Sequence, residues 1–238
     1  MQNGGPAIRL QEGFPALKLR GMWFWRERYY QALQEAVAAA GAFPEWAAFA
    51  AYCTDCQNGL RRQAFAKLDQ FIAGLEGAAF AERQRFIRWL LRQADPRDGC
   101  HLLLPHPLRQ RVILPTLEEW TRREPAAPEP HRWLGGREHL QRALELDPKD
   151  ELARGWFIDC ILKEVGYDTH ELPGGYLGNP EEDLTALAEA ARAADACSQP
   201  AARQSAHERI GQLRRVIEDH QRGRSNDSLH PAAPDANP

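Results

Sequence analysis

Leu60-Arg-Arg-Gln-Ala64-Phe65-Ala-Lys-Leu68-Asp-Gln-Phe71-Ile72-Ala-Gly-Leu75 is the stretch whose reading decides the fold class. Leu60, Ala64, Phe65, Leu68, Phe71, Ile72 and Leu75 recur at intervals of three and four, which places them on one side of a helix. In a strand the same residues would scatter over both faces. The spacing predicts a helix over 60–75, and the same period continues in both directions. Upstream, Met22, Trp25, Tyr29, Leu33, Ala36, Val37 and Ala40 form a stripe that ends at Gly41. Pro44 then opens a second helix that reaches Cys56. Downstream, Phe80, Phe86, Ile87, Leu90 and Leu91 mark a helix over 79–93, and turn formers cluster at Asp95-Pro-Arg-Asp-Gly99.

A further helix is predicted from Pro107 to Arg123. The run Glu124-Pro-Ala-Ala-Pro-Glu-Pro130 reads as a stiff, extended linker. It divides an N-terminal helical region, 1–123, from a C-terminal one, 131–221. Beyond it, helices are predicted over 130–146, 150–166, 180–196 and 202–221, with a long loop from Tyr167 to Asn179. The tail over 222–238 is nearly devoid of apolar residues and is expected to be disordered. No segment alternates as a strand does. The expectation is an all-α chain of about nine helices, an irregular antiparallel bundle or a short α-solenoid.

Gly136, Leu140, Ala143 and Pro148, with the string Arg142-Ala-Leu-Glu-Leu-Asp-Pro148, resemble the second helix of a tetratricopeptide repeat. Small residues in that pattern let paired helices approach, and the Pro closes the hairpin. Trp120 falls where an aromatic of the preceding helix would belong. Continuing the period puts Arg154 at the aromatic position and Ile158 at the small one, so the repeat does not propagate. The resemblance covers one helix and its turn. It implies a helical hairpin of the kind that serves protein binding.

Composition excludes several classes. At 238 residues the chain can bury a core without a metal or disulfide, and its net charge of −3 argues against a generic nucleic-acid coat. Five cysteines, an odd number in a chain this long, do not make a disulfide scaffold. The first 21 residues carry Arg9, Glu12, Lys18 and Arg20, unlike a signal peptide. Residues 36–54 are interrupted by Pro44 and Glu45 and are mostly Ala, too weak for a membrane span. A cytoplasmic location is expected.

Catalytic and metal signals are thin. Cys53-Thr-Asp-Cys56 sits near the end of a predicted helix, where the dipole raises rather than lowers a thiol pKa. It is half a zinc site, to which Cys100, His101 or His106 would have to add the rest. No stoichiometric zinc and no cofactor are expected. His131 and His139 read as surface or capping residues. Asp168, His170 and Glu171 cluster without an evident nucleophile. Pro173-Gly-Gly-Tyr-Leu-Gly-Asn-Pro180 lacks the Lys-Ser/Thr end of a phosphate loop and leads into a helix start already filled by Glu181, Glu182 and Asp183. Arg85, Arg88 and Arg92 line one helix side and read as a solvated face. Trp23 and Phe24 read as covered by the apolar residues of 7–19.

What remains is an interaction module: a non-enzymatic helical protein that binds another protein or a peptide. Nucleic acid and membrane are not expected as partners. The alternatives are a metal-dependent or hydrolytic enzyme built on the Cys/His positions, and a nucleic-acid-binding regulator using the arginine stripe. The candidate surface is Trp133, Trp156, Tyr167, His170 and Tyr176, because aromatics bury a large area with few rotors to freeze.

Overall fold

The computed structural model describes residues 27–94 and 100–229. Among them there is no strand, and ten helices run seven residues or longer. They are α1 (Glu27–Ala40), α2 (Ala47–Gln57), α3 (Arg61–Glu76), α4 (Phe80–Ala94), α5 (Leu114–Arg123), α6 (Pro128–Leu134), α7 (Gly136–Leu146), α8 (Glu151–Asp168), α9 (Pro180–Asp195) and α10 (Pro200–Leu229). The all-α expectation holds, with one helix more than the sequence suggested. None of these helices is long and apolar enough to cross a membrane.

The buried residues fall into two clusters. The first runs from Ala32 to Trp120 and is built from α1–α5, with Trp46, Leu103, Leu108, Val112 and Ile113 added from the segments between them. On α3 the face read from the sequence is the buried one: Ala64, Leu68, Phe71, Ile72 and Leu75 are buried, Phe65 is half-buried, and Leu60, at the N-cap, stays 42% exposed. Its centre is aromatic. Phe86 meets Phe49 at 5.3 Å and Phe71 at 4.8 Å, both edge-on, the favoured arrangement for ring quadrupoles. The start of the first stripe, 22–26, and the turn at 95–99 lie outside the described residues, as do Trp23, Phe24 and the segment expected to cover them.

Three expectations about helix boundaries are corrected. The helix predicted from Pro107 to Arg123 is not uniform. A short turn, His106–Leu108, leads into a π-helical segment, Arg109–Ile113, before α5 begins. Pro115 has no N–H and its ring would strike the carbonyl four residues back. The wider i→i−5 turn ahead of it, with Leu114 N–H donating to Arg109 O, absorbs that conflict. The expected extended linker is mostly absent: Ala127 N donates to Glu124 O at 2.9 Å in a tight turn, and Pro128 opens α6. Both Pro128 and Pro130 sit in the first turn of that helix, where a missing N–H costs nothing. The helix predicted over 130–146 is two helices. Gly135 and Gly136 take φ of +70° and +74°, which breaks the rod between Leu134 and Arg137. Gly136 therefore makes the turn instead of lining a helix contact.

The second cluster runs from Leu140 to Ile217 and is contributed by α7–α10. Asp150 caps α8, accepting from Ala153 N at 2.9 Å. Arg154, off-pattern for a repeat, is buried and its guanidinium donates to the Pro148 carbonyl, closing the α7–α8 turn. α10 continues through Arg222 to Leu229, so the beginning of the expected disordered tail is helical; residues 230–238 lie outside the described residues.

Leu140 and Ala143 are buried on α7, which packs against α8. Ala143 is fully covered. Ala143→Trp is expected to overpack this contact and cost about 1–3 kcal/mol. The denaturant midpoint reads it out, and an unchanged midpoint would contradict the close approach.

Candidate functional site

The C-terminal end of α8 and the first turns of α9, with Arg137 of α7, enclose an open groove of about 540 Å³. Its walls are Lys163, Glu164, Val165, Tyr167 and Asp168 from α8, and Glu182, Asp183 and Ala186 from α9. The loop between the helices is held by its own polar groups. Thr169 ends α8, its hydroxyl donating to Val165 O at 2.9 Å. Leu177 N donates back to Asp168 O at 3.0 Å. Asn179 caps α9 by accepting from Glu181 N at 3.0 Å, and Pro180 takes the first helical position. Gly178 leaves room for the Asp168 carboxylate: a Cβ there would meet that side chain and force it to turn.

Tyr176 pins this loop to the helices. Its hydroxyl donates to Asp183 Oδ2 at 2.5 Å, and its ring stacks on His220 of α10 at 5.3 Å. Burial, with the Asp183 hydrogen bond and charge adding, pushes the phenol above its ordinary range. Burial also raises the Asp183 carboxyl, and the charges of Asp168, Glu182 and Glu164 add to that, against the Tyr176 hydrogen bond. Four carboxylates, Glu164, Asp168, Glu182 and Asp183, against the two cations Arg137 and Lys163 make the groove lining net acidic. Arg137 is held by Glu189 at 2.5 Å, so its charge is already matched.

Tyr167, on the groove wall, is 66% exposed, and Leu177, in the loop and tied through its backbone to Asp168, is 51% exposed. His170 packs against the Tyr167 ring at 4.9 Å, with Nδ1 on the Tyr167 carbonyl and Nε2 2.9 Å from Glu171. The sequence-derived residues thus separate into two places. Tyr167, His170 and Tyr176 belong to the groove and its loop. Trp133 and Trp156 meet each other edge-on at 4.9 Å, Trp133 packed on the first cluster and Trp156 on the second. They form the joint between the two cores. Trp156 and Tyr167 lie 11 positions apart on one helix, about 16 Å along its axis.

Sequence reasoning missed Leu177, Glu164, Lys163 and Arg137. Glu164 and Asp168 are one helical turn apart, a signal that was available; the approach of α9 to that face was not. Glu182 and Asp183 were read only as first-turn carboxylates.

The other candidates resolve as follows. Cys53 is fully buried and its thiol is pushed far up by burial; Cys56 is raised too, again chiefly by burial. Such thiols are inert at neutral pH. The side chains of Cys100 and His101 lie outside the described residues, and His106 is exposed. Among the described residues no group of three or more His, Cys, Asp or Glu converges as a metal site. Of the arginine stripe, Arg92 is exposed, and the other two carry carboxylate partners. Arg85 pairs with Glu45, while Arg88 pairs with Glu129 at 2.9 Å and lies over the Trp120 ring at 4.5 Å. The solvated-face reading is thereby corrected for Arg88, which is drawn inward by an aromatic face and a carboxylate.

No protein-family model matches the chain, and neither a curated protein nor a solved structure matches it.

Proposed function

We propose that this chain is a helical protein-interaction module whose binding surface is the acidic groove between α8 and α9. The partner chemistry that fits is a basic segment carrying an apolar anchor. One observation carries this reading: a largely exposed Tyr167 stands at a groove lined by Glu164, Asp168, Glu182 and Asp183. Exposed aromatics are the residues from which binding hot spots are built. A carboxylate lining steers a cationic partner and fixes its register. The Tyr176–Asp183 hydrogen bond and the His170–Tyr167 contact support it further, because they order the loop before a partner arrives. The tetratricopeptide-like pattern of 136–148 is compatible with the same use, since paired helices commonly present binding faces.

The test is a titration of the full chain with short peptides that alternate Lys or Arg with Leu, Phe or Trp, against acidic peptides of equal length. Basic peptides are expected to bind more tightly, and added salt to weaken them. Tyr167→Ala is expected to lose more than about 1 kcal/mol of binding, roughly fivefold, with the unfolding midpoint unchanged. Acidic peptides binding as well as basic ones would overturn the reading.

A further inference from the structure

Three of the four groove carboxylates have uncharged partners. Glu164 accepts from the Cys160 thiol at 3.3 Å, Glu182 from the Asn179 amide at 3.0 Å and Asp183 from the Tyr176 hydroxyl. Glu164 and Glu182 are exposed. Neutral donors leave the negative charge of these groups in place, beside the largely exposed Tyr167 ring. Such a lining selects a cation carried next to an apolar side chain.

The chain itself carries a segment of that chemistry. Gly13-Phe-Pro-Ala-Leu17-Lys18-Leu19-Arg20-Gly21 holds two cations, three large apolar residues and no carboxylate. In an extended conformation its period of two puts Leu17 and Leu19 on one side and Lys18 and Arg20 on the other. Pro15 fixes its own φ and disfavours the helical region for Phe14, which reduces the freedom lost on docking. At the other end of the chain, residues 230–238 contain no Lys or Arg.

We propose, resting on the groove as the binding surface, that the acidic groove of one copy of this chain takes residues 14–20 of a second copy. Lys18 and Arg20 meet the carboxylates, and Leu17 or Leu19 packs on Tyr167. The tether favours a second copy over the same chain. Arg20 lies seven positions before Glu27, where α1 begins in the first core, whereas the groove belongs to the second core. Seven residues span at most about 25 Å. The stretch of α8 from Trp156, at the joint of the cores, to Tyr167 alone takes about 16 Å of that reach. A second copy is under no such limit, and reciprocal exchange closes the assembly as a two-fold dimer. Leu17 and Leu19 then serve the groove of another copy rather than covering Trp23 and Phe24.

The experiment is a charge swap in the full chain, read by sedimentation velocity at low salt. The parent is expected to pass from monomer to dimer in the micromolar range, and added salt to reverse that. Lys18→Glu with Arg20→Glu, and separately Glu164→Lys with Glu182→Lys, should each weaken self-association at least about tenfold. Each variant is first checked for a parent-like circular-dichroism spectrum and unfolding midpoint. An equal mixture of the two should associate again, because an acidic segment then meets a basic groove. The Lys18→Glu, Arg20→Glu chain should still bind the basic peptides that alternate Lys or Arg with Leu, Phe or Trp, since its groove is untouched. Failure to bind them overturns the groove as a binding surface, and the exchange with it. A monomeric parent that binds those peptides, undiminished association of the Lys18→Glu, Arg20→Glu chain, or a mixture that stays monomeric would overturn the exchange alone.

Discussion

Replacing Trp120 by Ala is expected to cost about 3–5 kcal/mol, the largest single loss available in the first core. Trp120 is fully buried on α5 as part of the N-terminal cluster. Its indole Nε1 donates to Glu124 Oε2 at 2.9 Å, and the Arg88 guanidinium lies 4.5 Å over its ring. Glu124 begins the turn that leads into α6, so this side chain anchors the core and the entry to the second half together. The substitution removes the packing and leaves a cavity that rigid neighbours on α4 and α5 cannot collapse into. Trp120→Phe separates the contributions: it retains an aromatic filler and loses the Glu124 bond, for about 1–2 kcal/mol from the bond plus the smaller volume. Denaturant unfolding followed by circular dichroism reads both. A Trp120→Ala midpoint matching the parent would show that the first core does not close over this residue.

Asp150→Ala is the second substitution with a large expected effect, about 2–4 kcal/mol. The Asp150 side chain is 5% exposed, and its two oxygens serve different partners. One caps α8 through Ala153 N at 2.9 Å, and the other holds Arg132 of α6 at 2.6 Å. Loss of the carboxylate strips the α8 N-terminus of its acceptor and leaves a guanidinium that is 21% exposed without its counter-charge. Asp150→Asn should retain the cap and cost less than Ala. A double-mutant cycle with Arg132→Ala is expected to give a coupling of about 1–3 kcal/mol. Zero coupling would mean that the ion pair does not join α6 to the second core. Equal losses for Asn and Ala would mean that the cap contributes nothing.

These two residues also mark where sequence reading stops. Trp120 falls within the helix predicted from Pro107 to Arg123, and it lies on α5. Asp150 opens the helix predicted over 150–166, and the structure makes it the cap of α8. Its second partner, Arg132, is 18 positions away and comes into reach only through the turn at Gly135–Gly136. The groove has the same character. Asn179, Pro180 and the acidic first turn of α9 are legible as a helix start. That they face Glu164 and Asp168 follows from how α9 packs on α8, which no local pattern encodes.

The sequence by itself determined that this protein is helical, and which faces of α1, α3 and α4 are buried. That information is local: a 3.6-residue period, a capping residue or a proline acts within a few positions of itself. It also determined that Ala143 is an inside residue, whereas the loop expected from Tyr167 begins only after Asp168, because α8 runs on through both residues. Only the tertiary structure decided that two cores are joined at Trp133 and Trp156, that His131 meets His139, and that Tyr167 stands at an acidic groove. Each depends on the direction the chain takes after a glycine pair or a loop. A glycine at positive φ fixes that direction through backbone torsions that its sequence permits but does not select; the packing of α6, α7, α8 and α9 selects them.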